Sequence, residues 1–428
     1  MLGFLSNRAT AAHLALAAVA PLVLCKYFSG DAVCSVLPWI AFICVIWAFM
    51  APVLRGEERS PDSRYRLLHD SASDPFLWVA VALLVYSAVI ALNSGVALSF
   101  DPEAKMWKLL SPAVPVLPGG VRGSGGECFT SSLLVLSLYP AVAYSLDSRQ
   151  SVYFVVFASL VAVLDAAYAY ASGIGLRSES AVAYGLWALA AAAAMFSAEC
   201  SRRRVKEMLS MLVLSGCLAE LMLSGSAVEL WVFTAAISLL ALIFIAFRCR
   251  ELRWIGVTRA FLMLLVSVGI ASALFQWRSA DWESLIPVLE TDADAIFNRF
   301  AVEAWQSSPW TGSGVGSFPL VAKFGAKAED WMILGAMPDF YSNGWRAFLV
   351  ERGMIGVLAI ACAIGAMLFS WFRYAWRRGF ENFSAAVPLL PLAVAAVSAA
   401  MFFDGSAMRS EAIVAFVGIA AFSVNGGQ

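Results

Sequence analysis

The sequence predicts an all-α, polytopic membrane protein with about twelve transmembrane helices and one large extramembrane loop carrying short helices. Three observations predict it. Of 428 residues, 61% are hydrophobic and 14% charged, against about 45–50% and about 25% in soluble domains. Apolar stretches recur along the whole chain, and crossing a bilayer takes roughly 20 such residues. The arginine-rich loops between them all fall on one side when the stretches are counted off.

The stretches lie at about 9–28, 33–53, 74–93, 128–146, 151–172, 181–199, 207–224, 227–247, 260–276, 353–372, 384–403 and 411–425. The first resembles a signal peptide, with Arg8 ahead of an alanine-rich run. Pro21 disfavours cleavage after "AVA", so an uncleaved first span is expected. Arg55, Arg59, Arg64 and Arg66 share one loop, and Arg202, Arg203, Arg204 and Lys206 a second. Arg248, Arg250, Arg253 and Arg259 make a third, and Arg373, Arg377 and Arg378 a fourth. Twelve spans place these loops and both termini in the cytoplasm.

The opposite face then holds two long connections within a single integral membrane domain, residues 1–428. Residues 94–127 contain "VPVLPGGVRGSGGE" and read as a Pro/Gly-rich loop. Residues 277–345 form the largest loop, inserted before the tenth span. Within it Thr291 to Ser308 reads as an amphipathic helix, with Ile296, Phe297, Phe300, Ala304 and Trp305 at helical spacing. Thr291 and Asp294 resemble a capping box, and Pro309 and Gly312 end the helix. No repeat relates the two halves of the chain.

Several classes of chemistry are excluded. A net charge of −1 and the lack of a basic arm leave no footing for nucleic acid. The eight cysteines have no metal-ligand spacing, and Cys44, Cys217 and Cys362 lie inside apolar runs, where a thiol acts as a small hydrophobe. The two histidines, His13 and His69, fall at the cytoplasmic start of the first span and in a cytoplasmic loop. Proton transfer on the outer face therefore needs a carboxylate, a tyrosine or solvent. No metal and no cofactor is expected there.

The charges near the membrane are lopsided. Asp165, Glu220 and Glu229 lie within or at the ends of spans, in their outer part. Arg177, Arg299, Arg346, Glu351 and Arg352 share that side. A charge near mid-bilayer costs a few kcal/mol and tends to face a cavity or a partner. Any one of these taken singly reads more readily as a structural ion pair or a snorkelling side chain. Together they point to a polar chamber opening outward. "WTGSGVGSF", Trp310 to Phe318, resembles a phosphate loop, but its third glycine comes too early for a dinucleotide fingerprint and no strand precedes it. Gly312, Gly314 and Gly316 either bring backbone N–H groups to an anion or make a tight turn after a helix. The sequence leaves both readings open.

"NRFAVEAWQSSPWTGSGVGSF" followed by "SNGWRAFLVERGMIGVLAI" resembles the O-antigen ligase and O-antigen polymerase superfamily of bacterial inner-membrane glycan transferases. The pattern in that family is an arginine, a tryptophan-bearing helix, a proline, a glycine turn, then a His-Asn pair entering an "L-x-E-x-G-x-x-G" span. Arg299, Trp305, Pro309, Gly312 to Gly316, Asn343, Leu349, Glu351, Gly353 and Gly356 occupy those positions here. Arg177 in "GLRSESAVAYG" resembles the arginine after the family's fifth span. Two positions depart: Ser342 stands where the catalytic histidine would be, and Ala227 where a "T-G-S-R" arginine often lies.

The resemblance implies a multi-pass inner-membrane glycosyltransferase of surface polysaccharide (O-antigen, lipopolysaccharide) biosynthesis, active on the periplasmic face. Its donor would be a glycan on undecaprenyl diphosphate and its acceptor a hydroxyl of a glycan, lipid or protein. The leaving diphosphate gains charge as the glycosyl bond breaks. Arginines suit it because the guanidinium forks onto phosphate oxygens. Arg177 and Arg299 are the first candidates, Arg346 and Arg352 the next, with Asn343 and the three glycines beside them. Glu351, Asp339 and Tyr341 are the candidate catalytic groups, with Glu351 expected to orient an arginine or the helix mouth. The competing expectations are a pseudoenzyme that binds polyprenyl-linked glycans without transfer, and a twelve-span transporter or flippase.

Overall fold

A computed structural model describes residues 39, 42–43, 74–101, 106–110, 114, 117–121, 124–145, 148–171, 181–196, 203–224, 227–249, 254–278, 301–302, 304–318, 320, 344–378, 388–401 and 410–425. The first expected span lies outside them, as do most of the second and residues 279–300 and 321–343 of the large loop. Helices stand at each of the other ten expected spans: α1 Pro75–Leu92, α2 Ser124–Ser145, α3 Ser148–Ala171, α4 Ala181–Phe196, α5 Arg203–Leu223, α6 Ala227–Cys249, α7 Trp254–Arg278, α8 Gly344–Arg378, α9 Leu389–Ala400 and α10 Ser410–Asn425.

Among the described residues, three helical stretches are long and apolar enough to cross a bilayer, Pro75–Leu92, Ala227–Ala246 and Gly344–Arg373, and several shorter apolar helices accompany them. Their outward faces keep large apolar side chains at the surface, as with Phe261, Leu262, Leu265 and Val266 on α7. Water does not tolerate a face of that extent on a monomer, whereas lipid does. The core lies elsewhere. Every residue of α4 is buried, among α3, α5, α6, α9 and α10. Its alanine run lets neighbouring backbones approach closely, and Gly185 lies directly under the ring of Phe233.

α1 shows how an end is built. Pro75 opens it, where a missing N–H costs nothing. Asp74 caps it, its Oδ1 accepting the Phe76 N–H at 2.9 Å. The same carboxylate accepts the Tyr139 hydroxyl of α2 at 2.9 Å and the Ser370 hydroxyl of α8 at 2.7 Å. The start of α1 thus meets the late parts of α2 and α8, so both run antiparallel to α1. Asp74→Ala removes a cap and leaves buried donors without an acceptor. A loss of about 3 kcal/mol is expected, and Asp74→Asn should recover part of it. Thermal unfolding of the purified chain measures this, and an unchanged melting temperature for Asp74→Ala would remove the lock.

One expectation is corrected. The described residues are mostly helical, as expected, but the residues read as a Pro/Gly-rich loop hold a small sheet. Strand β1, Ser94–Asp101, pairs antiparallel with β2, Met106–Leu110, and parallel with β3, Gly120–Val121. Asn93 organises the return. Its Nδ2 donates to the carbonyls of Val114, Leu117 and Pro118, and its Oδ1 accepts the Val114 N–H at 2.8 Å. Only Asn93 separates the end of α1 from the start of β1.

Candidate functional site

The site grows from the glycine turn. The described part of the expected Thr291–Ser308 helix is helical at 301–302 and 304–307. Ala301 and Ala304 are buried and Val302 is exposed. The Trp305 indole N–H is buried and finds no acceptor among the described residues. The Ser308 carbonyl then accepts the Gly312 N–H at 3.0 Å, closing the turn.

The turn is seated in a break in α8. The backbone at Gly353 has φ 59° and ψ −166°, so the helix stops and restarts there. A helix end leaves carbonyls without partners and a helix start leaves amides without them. The turn supplies both sets. The Val350 carbonyl accepts the Ser313 N–H at 2.8 Å and the Glu351 carbonyl accepts the Gly314 N–H at 3.0 Å. On the other side, the Met354 N–H donates to the Pro309 carbonyl at 2.9 Å and the Ile355 N–H to Trp310 at 3.1 Å. Val315 meanwhile joins the sheet, its N–H donating to Gly119 at 2.9 Å and its carbonyl accepting the Val121 N–H at 2.8 Å. The two long connections therefore pack on one another at one end of the helices, opposite the Asp74 end.

Glycine is required by contact as well as by φ. Gly312 has φ 72°, and an added Cβ there would collide with the backbone of Glu351. Gly314 packs against Val96 and Gly119, and Gly316 against Ser124. The anion reading is thereby corrected for two positions. The amides of Gly312 and Gly314 are committed to carbonyls of this chain.

Among the charged candidates, Glu351 is buried and its Oε1 accepts the Phe318 N–H at 3.2 Å. That contact orients the helical segment beginning at Phe318. Arg346 is exposed on the first half of α8. Its neighbour Trp345 ties that half to the end of α9, donating from Nε1 to the Ser398 carbonyl at 3.0 Å. Arg352 turns inward. Its Nη1 reaches the Cys128 Sγ at 3.4 Å, its Cζ lies 5.0 Å from the centre of the Phe348 ring, and its stem passes over Gly356. The two glycines of "E-x-G-x-x-G" thus have distinct causes: one breaks the helix and the other clears the path of Arg352. Glu220 and Glu229 are buried at the adjoining ends of α5 and α6. Arg177, Arg299, Asp339, Tyr341 and Asn343 lie outside the described residues.

Sequence reasoning missed Asp74, Asn93, Tyr86 and Cys128. Asp74 alone carried a signal, an aspartate directly before a proline at the start of an apolar run. Among the described residues, no three His, Cys, Asp or Glu side chains gather as a metal site. Neither a family model nor a curated protein matches this chain.

Proposed function

We propose that this chain transfers or polymerises a glycan carried on undecaprenyl diphosphate onto an acceptor hydroxyl, at the periplasmic face of a bacterial inner membrane. One observation supports it above others. The two sequence segments that carry the resemblance, Trp305 to Phe318 and Leu349 to Gly356, interlock through backbone hydrogen bonds at the break in α8. Their spacing thus serves one built junction and not two unrelated loops. In this reading Arg177 and Arg299 hold the leaving diphosphate, and Arg346 and Asn343 stand at the entrance to α8. Glu351 positions the turn, and Asp339 or Tyr341 takes the acceptor proton.

A second reading, a non-catalytic binder of the same donor, is favoured by Ser342 in the place of the histidine. A transporter would leave the carbonyls and amides of a broken helix open to its substrate or ion. Here the glycine turn occupies the carbonyls of Val350 and Glu351 and the amides of Met354 and Ile355, which weighs against transport.

The test is transfer of a labelled glycan from a polyprenyl-diphosphate donor by membranes containing the chain. Turnover above that of membranes lacking it is expected, and its absence with every donor tried favours the binder. The side is checked separately on a background lacking reactive native cysteines. An impermeant maleimide added to the periplasmic face should label a cysteine at Ala326 and spare one at Ser60. The reverse pattern would invert the orientation and readmit His13 and His69.

A further inference from the structure

The small sheet leaves one of its faces bare. Strand β3 reaches β1 only at Ser94 and Val96. From Ala97 outward β1 pairs with β2 alone, and the ribbon runs on about 17 Å past Val96. Its register sorts the residues. Leu98 stands opposite Leu109 and Phe100 opposite Trp107, and alternation places these four on one face. Ser99 opposite Lys108 and Asp101 opposite Met106 fall on the other. Among the described elements, only β2 and β3 make extensive contact with β1, and only β1 with β2. The described helices therefore do not cover the apolar face. A two-stranded ribbon is marginal in water by itself, and a wholly apolar face on it calls for a covering surface.

The adjoining surface says what covers it. Trp78, Val81, Val85 and Leu92 lie along one stripe of α1 and are exposed, Leu92 to 87%. Only Asn93 separates Leu92 from β1. Trp310 is exposed to 66% and Val302 to 55%, in the segment that brings Val315 beside β3. The lipid-facing surface of the helices thus continues past the end of α1 to the base of the ribbon. The backbone sets the depth. β2 is an edge strand of the described sheet, and hydrocarbon does not tolerate an open edge. The ribbon therefore stays out of the bilayer core. At the headgroups water reaches the edge, acyl chains reach the apolar face, and tryptophan is favoured. We propose that the β1–β2 ribbon docks on the lipid surface, with the Leu98, Phe100, Trp107 and Leu109 face toward the acyl chains and the Ser99, Asp101 and Lys108 face toward water. Its partner is the bilayer at the headgroup boundary. Such an anchor holds the sheet, and through Val315 the glycine turn in the break of α8, at the level of the membrane surface. The inference is independent of glycan transfer, since a transferase, a binder or a carrier would each use it.

The experiment reconstitutes the full chain, on the background lacking reactive native cysteines, in vesicles of phosphatidylethanolamine and phosphatidylglycerol. A spin label is attached in turn to Phe100→Cys, Trp107→Cys, Ser99→Cys and Lys108→Cys. Collisions with oxygen, which concentrates in lipid, and with a nickel chelate, which stays in water, give the depth of each label. Those at Phe100→Cys and Trp107→Cys should read about 5–10 Å into the boundary between headgroups and acyl chains. Those at Ser99→Cys and Lys108→Cys should read in water. A second measurement needs no substitution and decides the matter where a label disturbs the ribbon. The parent chain is irradiated in the same vesicles doped with a phosphatidylcholine that carries a diazirine on its acyl chain, and adducts are mapped by mass spectrometry. Adducts are expected at Leu98, Phe100, Trp107 and Leu109 as well as on the exposed stripe of α1. Labelled α1 with a ribbon free of adducts overturns the proposal. Spin labels at Phe100→Cys and Trp107→Cys that meet both reagents then show a face open to water. Labels shielded from both show a face covered by protein, either residues 279–300 of this chain or a second copy.

Discussion

Replacing Arg299 by alanine is expected to lower glycan transfer about a hundred- to a thousandfold. In the proposed reaction the leaving group is a lipid diphosphate whose charge would grow as the glycosyl bond breaks. A donor fixed in place before that charge develops is worth roughly 3–4 kcal/mol. On the proposed topology neither histidine reaches the outer face, and no metal cluster is expected, so a guanidinium is the strongest permanent donor the sequence offers. Arg177→Ala should behave alike. Arg299→Lys should retain part of the rate, because lysine keeps the charge and loses the fork. A different effect follows if Arg299 merely pairs with Glu303 one helical turn on. An exposed pair of that spacing is worth about 0.3–0.5 kcal/mol, about a twofold change. The readout is transfer by membranes with mutant protein levels matched. Near-parental rates for both alanine variants would dismiss the diphosphate clamp.

Gly312→Val and Gly353→Val should each destabilise the chain by roughly 2–5 kcal/mol. Two costs combine. Left-handed backbone costs an L side chain roughly 1–2 kcal/mol, and φ is 72° at Gly312 and 59° at Gly353. An added Cβ at Gly312 meets the Glu351 carbonyl, and one at Gly353 meets the Trp310 carbonyl. Overpacking of that kind costs about 1–3 kcal/mol, and backbone cannot turn aside as a side chain can. Gly365 serves as the control. It lies in the same helix with no atom within 4 Å of an added Cβ, so Gly365→Ala should be neutral or stabilising by up to about 1 kcal/mol. Thermal unfolding in detergent compares the three. Equal melting temperatures would mean that the turn does not hold α8 at its break.

The residues of that junction show where sequence reasoning reached its limit. The expected tenth span began at residue 353, and Gly353 is where α8 breaks. The hydropathy profile found the place, because the charged first half ends there. Helical backbone in fact begins at Gly344. Helix placement elsewhere needed only the local chain. Transfer of apolar side chains out of water is nearly additive along the sequence, so a run of roughly 20 such residues announces itself. The sheet did not, because β1 follows α1 after a single residue and β3 lies inside a stretch rich in proline and glycine.

What the sequence determined alone was therefore the membrane character, the positions of the helices and the grouping of charges toward one set of loops. Composition and order carry those properties without reference to distant residues. The tertiary structure decided how the polar parts are used. It turned the glycines of "WTGSGVGSF" onto the backbone of α8, set Glu351 under Phe318, and brought Arg352 to Cys128 across 224 residues of chain. Each of those choices depends on which backbone donor meets which carbonyl once the helices have packed. A glycine or an arginine has the same local sequence signature whether its partner is an anion, a carbonyl or a thiol, so only the packed chain separates them.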